Sequence, residues 1–412
     1  MTKHRLSING ERLLERLRTL GEIGRDDAGV LTRLAASDAD KAGRDTLVGW
    51  MKSAGLDVRV DGVGNIFGLW LPAGESASPI MIGSHIDTVI DAGIYDGCYG
   101  VLAGLEVIET LRDSAMMPSR PIAIAAFTNE EGVRFAPDML GSLVHVGGLA
   151  LSDALATTGT DGARLGEELV RIAYAGDMEI GSLRPAAYLE LHIEQGPILA
   201  HEGVQIGAVE NLQGISWQRV TIHGQANHAG TTPMRMRQDA GLAAARLVTF
   251  MHDYVSRSNA PTVVTIGTMH FEPNAINVIP ARATLTIDLR DPDEDRLCDA
   301  EAALARCIDM LASEHRVRID VERLARFQPV TFDAGLVRMI GEVAACHGLT
   351  SRPMTSGAGH DAQMMARIAP TAMIFVPSTD GLSHNPREHT PPADLIAGAN
   401  VLLSLVTRLA VK

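Results

Sequence analysis

Residues 79–131 read PIMIGSHIDTVIDAGIYDGCYGVLAGLEVIETLRDSAMMPSRPIAIAAFTNEE, and the order of elements in this stretch sets the architecture. Residues 79–83 and 121–128 are short apolar runs bounded by polar residues, the pattern of buried strands. Between them residues 101–111 repeat apolar side chains at helical spacing. Strands alternating with helices predict an α/β sheet buried on both faces.

Outward from this unit the rhythm continues. Asn9 is placed to cap a helix through Leu20, and Asp38 to open another that stops at Gly55. Residues 65–71 and 188–193 read as further strands, and the Gly-, Ala- and Thr-rich residues 141–177 as short helices and loops. From Gly214 the pattern changes. Residues 215–223 read as strand, 239–255 as helix, 262–271 and 283–290 as strands, 294–314 as a long helix and 317–322 as strand. That β-α-β-β-α-β order predicts a small α+β domain of ferredoxin-like type inserted into the first. After Gln328 the first style resumes, with a helix over 334–347, a Gly-rich turn at 356–360, a strand over 371–376 and a closing helix after Pro392. The expected domains are therefore residues 1–213 with 329–412, and residues 214–328.

A chain of 412 residues has room for two or three cores. Its net charge of -14 argues against a nucleic-acid or anionic-membrane surface, since either needs a basic face. A small anionic substrate stays open, because one arginine can reverse the local field. The four cysteines form no C-x-x-C pair, which disfavours a disulfide framework or a thiolate zinc site and fits a reducing cytoplasm. The first ten residues carry no apolar leader pattern, no run of about 18 apolar residues marks a membrane span, and no internal repeat is present.

Five clusters of His, Asp and Glu fall at strand ends or in the loops after them, where ligands bind open α/β sheets. His85 lies in GSHIDT, with Asp87 placed to accept its second ring N–H and fix the tautomer; a surface His beside an Asp is the alternative. Asp96 lies between glycines before a helix, as a plain N-cap or as a carboxylate able to bridge two cations. Glu130 and Glu131 leave an apolar strand together, costly unless a cation or proton compensates. On an extended chain they would point opposite ways, one to a metal and one to a substrate as a base; two solvated glutamates are the bland reading. His192 ends another strand and His384 sits in GLSHNP. Each is weak alone, but the set suits two divalent cations sharing a carboxylate. In the inserted segment His228 stands in a Gly-rich loop, Asn277 follows a turn and Arg290 ends a strand, free to grip a carboxylate or to pair with Asp288 or Asp291.

The segments GSHIDT, YDGCYGVLAGLE, FTNEEGVRFAPDMLGS, ELHIEQGPIL, GQANHAGTTPM, NAINVIP, IDLR, GAGHDA and GLSHNP resemble those of M20-type metallohydrolases, in particular the hydantoinase/carbamoylase branch. The resemblance runs from about Leu13 to the C-terminus, and HIEQGP separates the branch from M20 peptidases, which usually carry a carboxylate where His192 stands. It implies a mixed-sheet α/β catalytic domain with an inserted α+β lid and dimerisation domain. It also implies His85, Asp96 and His192 at one metal and Asp96, Glu131 and His384 at the other, with Glu130 as general base. Zn or Mn is expected there, with Co or Ni also compatible. Gln195, His228, Asn277, Arg290, Gly359 and His360 match its substrate-contact positions, Arg290 for a carboxylate and His228 for the oxyanion. Tyr95 stands where the family usually has Phe, Val133 where Ser or Ala is common, and His389 is an extra histidine. The implied reaction is hydrolysis of an N-carbamoyl-L-amino acid to amino acid, carbon dioxide and ammonia in a cytoplasmic homodimer. Allantoate amidohydrolase and β-ureidopropionase are the near alternatives; an M20 aminoacylase or dipeptidase, or a binding protein that lost catalysis, are the distant ones.

Overall fold

The computed structural model describes residues 6–72 and 77–411. The first five residues, part of the stretch read for a leader, lie outside them. The chain divides into two compact units, Met1–Glu210 with Phe332–Lys412, and Asn211–Thr331.

The first unit begins with α1 (Gly10–Glu22), capped by Asn9, and α2 (Asp38–Ser53). The cap of α2 is the Ser37 hydroxyl, which accepts from Asp40 N, rather than Asp38; Gly55 follows the helix with positive φ. Next come β1 (Asp57–Val60), β2 (Ile66–Trp70), β3 (Ile80–His85), α3 (Cys98–Asp113) and β4 (Ile122–Phe127). Residues 141–177 hold three short helices, α4 (Leu140–His145), α5 (Leu151–Ala156) and α6 (Leu165–Arg171). Then come β5 (Ala187–Ile193), α7 (Ile198–Glu202) and β6 (Ile206–Leu212).

The second unit holds β7 (Gly214–His223), α8 (Ala240–Ser258), β8 (Val263–Glu272), β9 (Arg282–Asp291), α9 (Glu294–His315), β10 (Arg318–Phe327) and β11 (Val330–Thr331). Its four-stranded antiparallel sheet runs β10-β7-β9-β8. Its core is built from alternate residues of the strands, such as Val220, Ile222, Leu285 and Ile287, against Leu247, Met251, Leu304 and Leu311 of the two helices. β10 continues past the expected end at residue 322, through a register shift between Arg323 and Ala325. Charged side chains hide the strand pattern here: Glu322 and Arg323 are exposed on this edge strand, and Arg326 pairs with Glu294 at 2.7 Å and Glu301 at 3.1 Å on the long helix.

The first unit resumes with α10 (Ala334–Cys346), β12 (Ser351–Ser356), α11 (Asp361–Met365), β13 (Thr371–Val376) and α12 (Pro392–Ala410). The large sheet runs β1-β2-β4-β3-β5-β13-β6-β11, with β12 also paired to β6. Its centre, β4-β3-β5-β13, is parallel, and its flanks are antiparallel. The four central strands are buried along their whole length, as a sheet covered on both faces requires. α3 is apolar nearly all round because it packs on β3, β4 and β5 while α1 and α12 cover it. By length and composition α12 could also cross a membrane. It packs instead on α3, α10 and β13, which explains its apolar residues without one.

Candidate active site

Parallel strands in register end together. His85 is the last residue of β3, His192 lies at the end of β5, Glu130 and Glu131 follow β4, and His384 lies in the loop after β13. Residues far apart in sequence are thereby delivered to one edge of the sheet. Asp96 joins them from the loop before α3. Gly97, beside it, has φ +63°, and a side chain there would run into the His85 imidazole. The helix cap at this point is Gly97, so Asp96 is not a plain N-cap.

Asp96 is the centre of the group. Its Oδ1 lies 3.2 Å from His192 Nε2 and 3.6 Å from His85 Nε2, and its Oδ2 lies 3.4 Å from His384 Nε2. Glu131 Oε2 is 3.3 Å from His384 Nε2, and Glu130 Oε2 is 3.5 Å from His85 Nε2. The Nδ1 atoms of His85 and His192 face backbone carbonyls, Asp87 O at 2.9 Å and Ile193 O at 2.8 Å. Since a carbonyl only accepts, the neutral rings carry their proton on Nδ1 and leave Nε2 as the acceptor, which His85 turns to the pocket and with which His192 also accepts from Gly97 N at 3.1 Å. His384 has φ +53° and is half-exposed, whereas His85, Asp96 and His192 are buried and Glu131 is partly exposed with its side chain turned inward.

Two expectations change here. The Asp87 carboxylate does not fix His85; its Oδ1 is 3.9 Å from Nδ1. It accepts instead from the backbone N–H groups of Glu130 at 3.3 Å and Glu131 at 3.4 Å. Nor do the two glutamates sit on extended chain. Asn129 has φ +58° and folds the segment back, its side-chain amide bonding Phe135 O at 2.7 Å. The turn brings both carboxylates to the same pocket.

Burial penalises every acid here, and the imidazoles decide which stays ionised. Burial pushes Asp96 up, but bonds from His192, His384 and His85 outweigh it and hold its carboxyl well below the usual range. Burial and the charge of Asp96 push Glu131 up to about 8. Burial drives Glu130 well above its ordinary value, with His85 opposing and Glu131, Asp361 and Asp96 reinforcing it. Burial lowers His85 and His192, yet neighbouring acids raise both overall, and the bond to Asp96 raises His384 to about 9. A pocket with this surplus of negative charge draws protons onto its bases and equally suits divalent cations, whose binding would displace those protons. His85, Asp96 and His192 each offer a ligand atom within 4.8 Å of the others, as do Asp96, Glu131 and His384. Glu131 Oε1 is buried with no hydrogen-bond partner, and imidazole with carboxylate is a donor set for borderline metals. The residues therefore fit a metal centre.

Gln195, at φ +56°, donates from Nε2 to Asp96 Oδ2 at 2.8 Å, leaving its buried Oε1 without a partner. The His360 ring packs edge-on against His192, centroids 4.5 Å apart, with Nε2 3.1 Å from Ser356 Oγ. Burial holds His360 well below its ordinary value, so it stays neutral. Gly359 precedes it, beside Met139. His228, Asn277 and Arg290 belong to the second unit. There Asn277 O accepts from Ala229 N at 3.0 Å, and both His228 and Asn277 are exposed. Arg290 pairs with Asp288 at 2.9 Å, the ion-pair alternative. His389 joins none of the metal-capable groups, and its ring meets the edge of Tyr95.

Sequence reasoning missed Glu190, Asp361 and Glu388, all buried. Glu190 accepts from Ser84 Oγ at 2.8 Å, Tyr188 Oη at 3.1 Å and Ala362 N at 2.8 Å, and groups with His192 and His360. It lies two residues before His192 on one strand face, a spacing that could have flagged it. Asp361 accepts from Ser142 Oγ at 2.6 Å.

Residues 81–408 match the model of peptidase family M20/M25/M40. Among curated proteins, an N-carbamoyl-L-amino-acid amidohydrolase of Rhizobium meliloti is 40% identical over 98% of this chain and 97% of its own length. One from Geobacillus stearothermophilus is 38% identical over 98% and 99%. Among solved structures, a hydantoinase/carbamoylase family amidase from Burkholderia multivorans superposes with a TM-score of 0.95 at 43% identity, covering 99% of both chains.

Proposed function

The chain belongs to peptidase family M20/M25/M40, and from that premise we propose that it is a metal-dependent amidohydrolase cleaving the ureido C–N bond of N-carbamoyl-L-amino acids. The observation that carries the reading is one carboxylate, Asp96, facing three imidazole Nε2 atoms, with Glu130 3.5 Å from His85. Two divalent cations, Zn or Mn first and Co or Ni as alternatives, held by His85, Asp96 and His192 and by Asp96, Glu131 and His384, would acidify a water and polarise the carbonyl.

Glu130 is the proton carrier. Burial and neighbouring acids make its carboxylate hold a proton readily, so it takes one from the attacking water and passes it to the leaving nitrogen. R–NH–CO–NH2 and water give R–NH2, carbon dioxide and ammonia. Gln195, Gly359 and His360 of the first unit, with His228, Asn277 and Arg290 of the second, are the proposed contacts for a small anionic substrate, His228 for the oxyanion and Arg290 for the carboxylate. A homodimer through the second unit is supported by its sheet edges, β8 and β10, which leave Val263, Val321 and Leu324 exposed. In such a dimer a contact residue can serve either subunit. Four cysteines with no C-x-x-C pair among them support a cytoplasmic location.

Purified protein loaded with manganese and given N-carbamoyl-L-amino acids should release ammonia. Removing the Glu130 carboxylate (E130A) should lower kcat by about 100-fold or more. Ammonia from allantoate or β-ureidopropionate alone would move the substrate within the branch. Free amino acid from acyl or peptide substrates without ammonia would overturn the ureido reading, and unchanged turnover in E130A would overturn the role of Glu130.

A further inference from the structure

The loop that carries His384 is closed on itself by a bond from Thr379 N to His389 O at 2.8 Å, and Thr390 Oγ1 ties its end to Pro377 O at 2.8 Å. Glu388 sits near the base of this loop with its side chain turned inward, 6% exposed. Its Oε1 accepts from the backbone N–H of Tyr95 at 3.0 Å and of Asp96 at 3.2 Å. Its Oε2 accepts from Ser383 Oγ at 3.0 Å, and the same hydroxyl lies 3.1 Å from Asp96 Oδ2. One carboxylate therefore joins the loop bearing Asp96 to the loop bearing His384. Gly93 makes room for this: a Cβ there would overlap the Glu388 side chain, including its own Cβ.

We propose that Glu388 is a positioning residue for the Asp96–Glu131–His384 half of the centre, setting the distance between Asp96 Oδ2 and the His384 imidazole. This rests on the metal-centre reading above. The two halves differ in how they are held. His85 and His192 stand on buried central strands of the sheet. His384 stands on an exposed turn, and Glu388 with Ser383 bridges that turn to Asp96. Loss of the bridge should loosen this half and leave the His85–Asp96–His192 half in place.

The hydrogen-bond inventory gives an internal control. Ser383 has one hydroxyl proton for two acceptors, Glu388 Oε2 and Asp96 Oδ2. In Glu388→Gln the amide oxygen can still accept from Tyr95 N and Asp96 N. The amide NH2 can donate to Ser383 Oγ, freeing that hydroxyl to donate to Asp96. The bridge thus survives amidation and is lost in Glu388→Ala.

The test is chelator competition on the metal-loaded full-length protein, with bound manganese or zinc counted by mass spectrometry and melting followed in parallel. Wild type should hold two ions. E388A should hold one as tightly as wild type and the other about 10- to 100-fold more weakly, the usual cost of removing a group that orients ligands. E388Q should stay within a few-fold of wild type. Ser383→Ala, at a partly exposed site, should weaken the same ion by a smaller factor and keeps the test open should E388A fail to fold. Both ions held normally in E388A and S383A would overturn the proposal, as would equal weakening of both ions. A wild type that holds fewer than two ions would overturn the two-metal reading itself.

Discussion

Replacing Asp87 by asparagine separates two ways in which this residue can serve the centre. The carboxylate faces two backbone donors, Glu130 N at 3.3 Å and Glu131 N at 3.4 Å, one on each oxygen. An amide of the same shape offers one acceptor and one donor group, so one of the two N–H groups meets an N–H instead. Leaving a buried donor unpaired costs about 1–3 kcal/mol, and bonds this long place it near 1–2 kcal/mol. If that energy displaces the Glu130 turn, kcat falls roughly 5- to 30-fold. The ion of the His85–Asp96–His192 group should be held as before, because His85 Nδ1 bonds the backbone carbonyl of residue 87, which the substitution retains. The assay is ammonia release per loaded site with metal counted on the same sample. Normal kcat per loaded site, with the ion of the His85 group lost from D87N, would show that Asp87 acts through the imidazole and would overturn this account.

Gly97→Ala should cost most of the metal content and the activity with it, since the new methyl occupies the space of the His85 ring at a backbone φ of +63°; metal counting on purified protein checks this. Arg44 and Asp40 form a fully buried pair at 2.7 Å, and Arg44 also reaches Gly64 O and Thr128 Oγ1. Arg44→Met leaves the Asp40 charge stranded and should lower unfolding stability by about 3–5 kcal/mol in urea titration. Burial raises Asp61 to about 6 despite bonds from Asn65 and Val63. An acid whose folded value is raised binds protons more tightly when folded, so its contribution to stability is present at low pH and is lost as pH rises from about 4 through 6. Relative to Asp61→Asn, wild type should therefore lose about 2 kcal/mol between pH 4.5 and 7; a difference between the two proteins that does not vary with pH would contradict this.

What the sequence made legible follows from what leaves a periodic trace. β3, β4, β5 and β13 are buried on both faces, so their apolar runs stand out and the residues just after them were found. The β-α-β-β-α-β order of the second unit was legible because α8 and α9 are long and amphipathic. β6 was missed: its outer end carries Glu210 and Asn211, and it sits between an antiparallel β13 and short β11 and β12. The turn at Asn129 was missed because its one signal, an asparagine that tolerates positive φ, sits directly after an apolar strand run and reads as its continuation. The same holds for Asp87, whose sequence neighbour is His85 but whose carboxylate is claimed by backbone groups across the sheet edge. Glu388 leaves even less trace, since its partners Tyr95 and Asp96 come from the other end of the unit's sequence.

The distribution of protons among Asp96, Asp87, Glu131 and Glu130 argues for a division of labour among these four of the pocket's acids. Asp96 meets three imidazoles and stays ionised against its burial, so it is the anion around which the rest is arranged. Asp87 is raised by burial, and its two backbone donors tie it to the turn rather than to the centre. Glu131 has His384 as its near partner and a buried oxygen left over, which places it as a ligand short of a charge. Glu130 is different: burial first, opposed by His85 and reinforced by the charges of Glu131, Asp361 and Asp96, favours its neutral form. Cations held by His85, Asp96 and His192 and by Asp96, Glu131 and His384 would answer the needs of Asp96 and Glu131 directly. Glu130 also lies within ligand distance of His85 and Glu131, but the proposed ligand sets leave it out, and with those sets filled it would be the acid free to exchange a proton with water. The adjacent pair Glu130 and Glu131 can divide these tasks because the turn at Asn129 sends one towards His85 and the other towards His384.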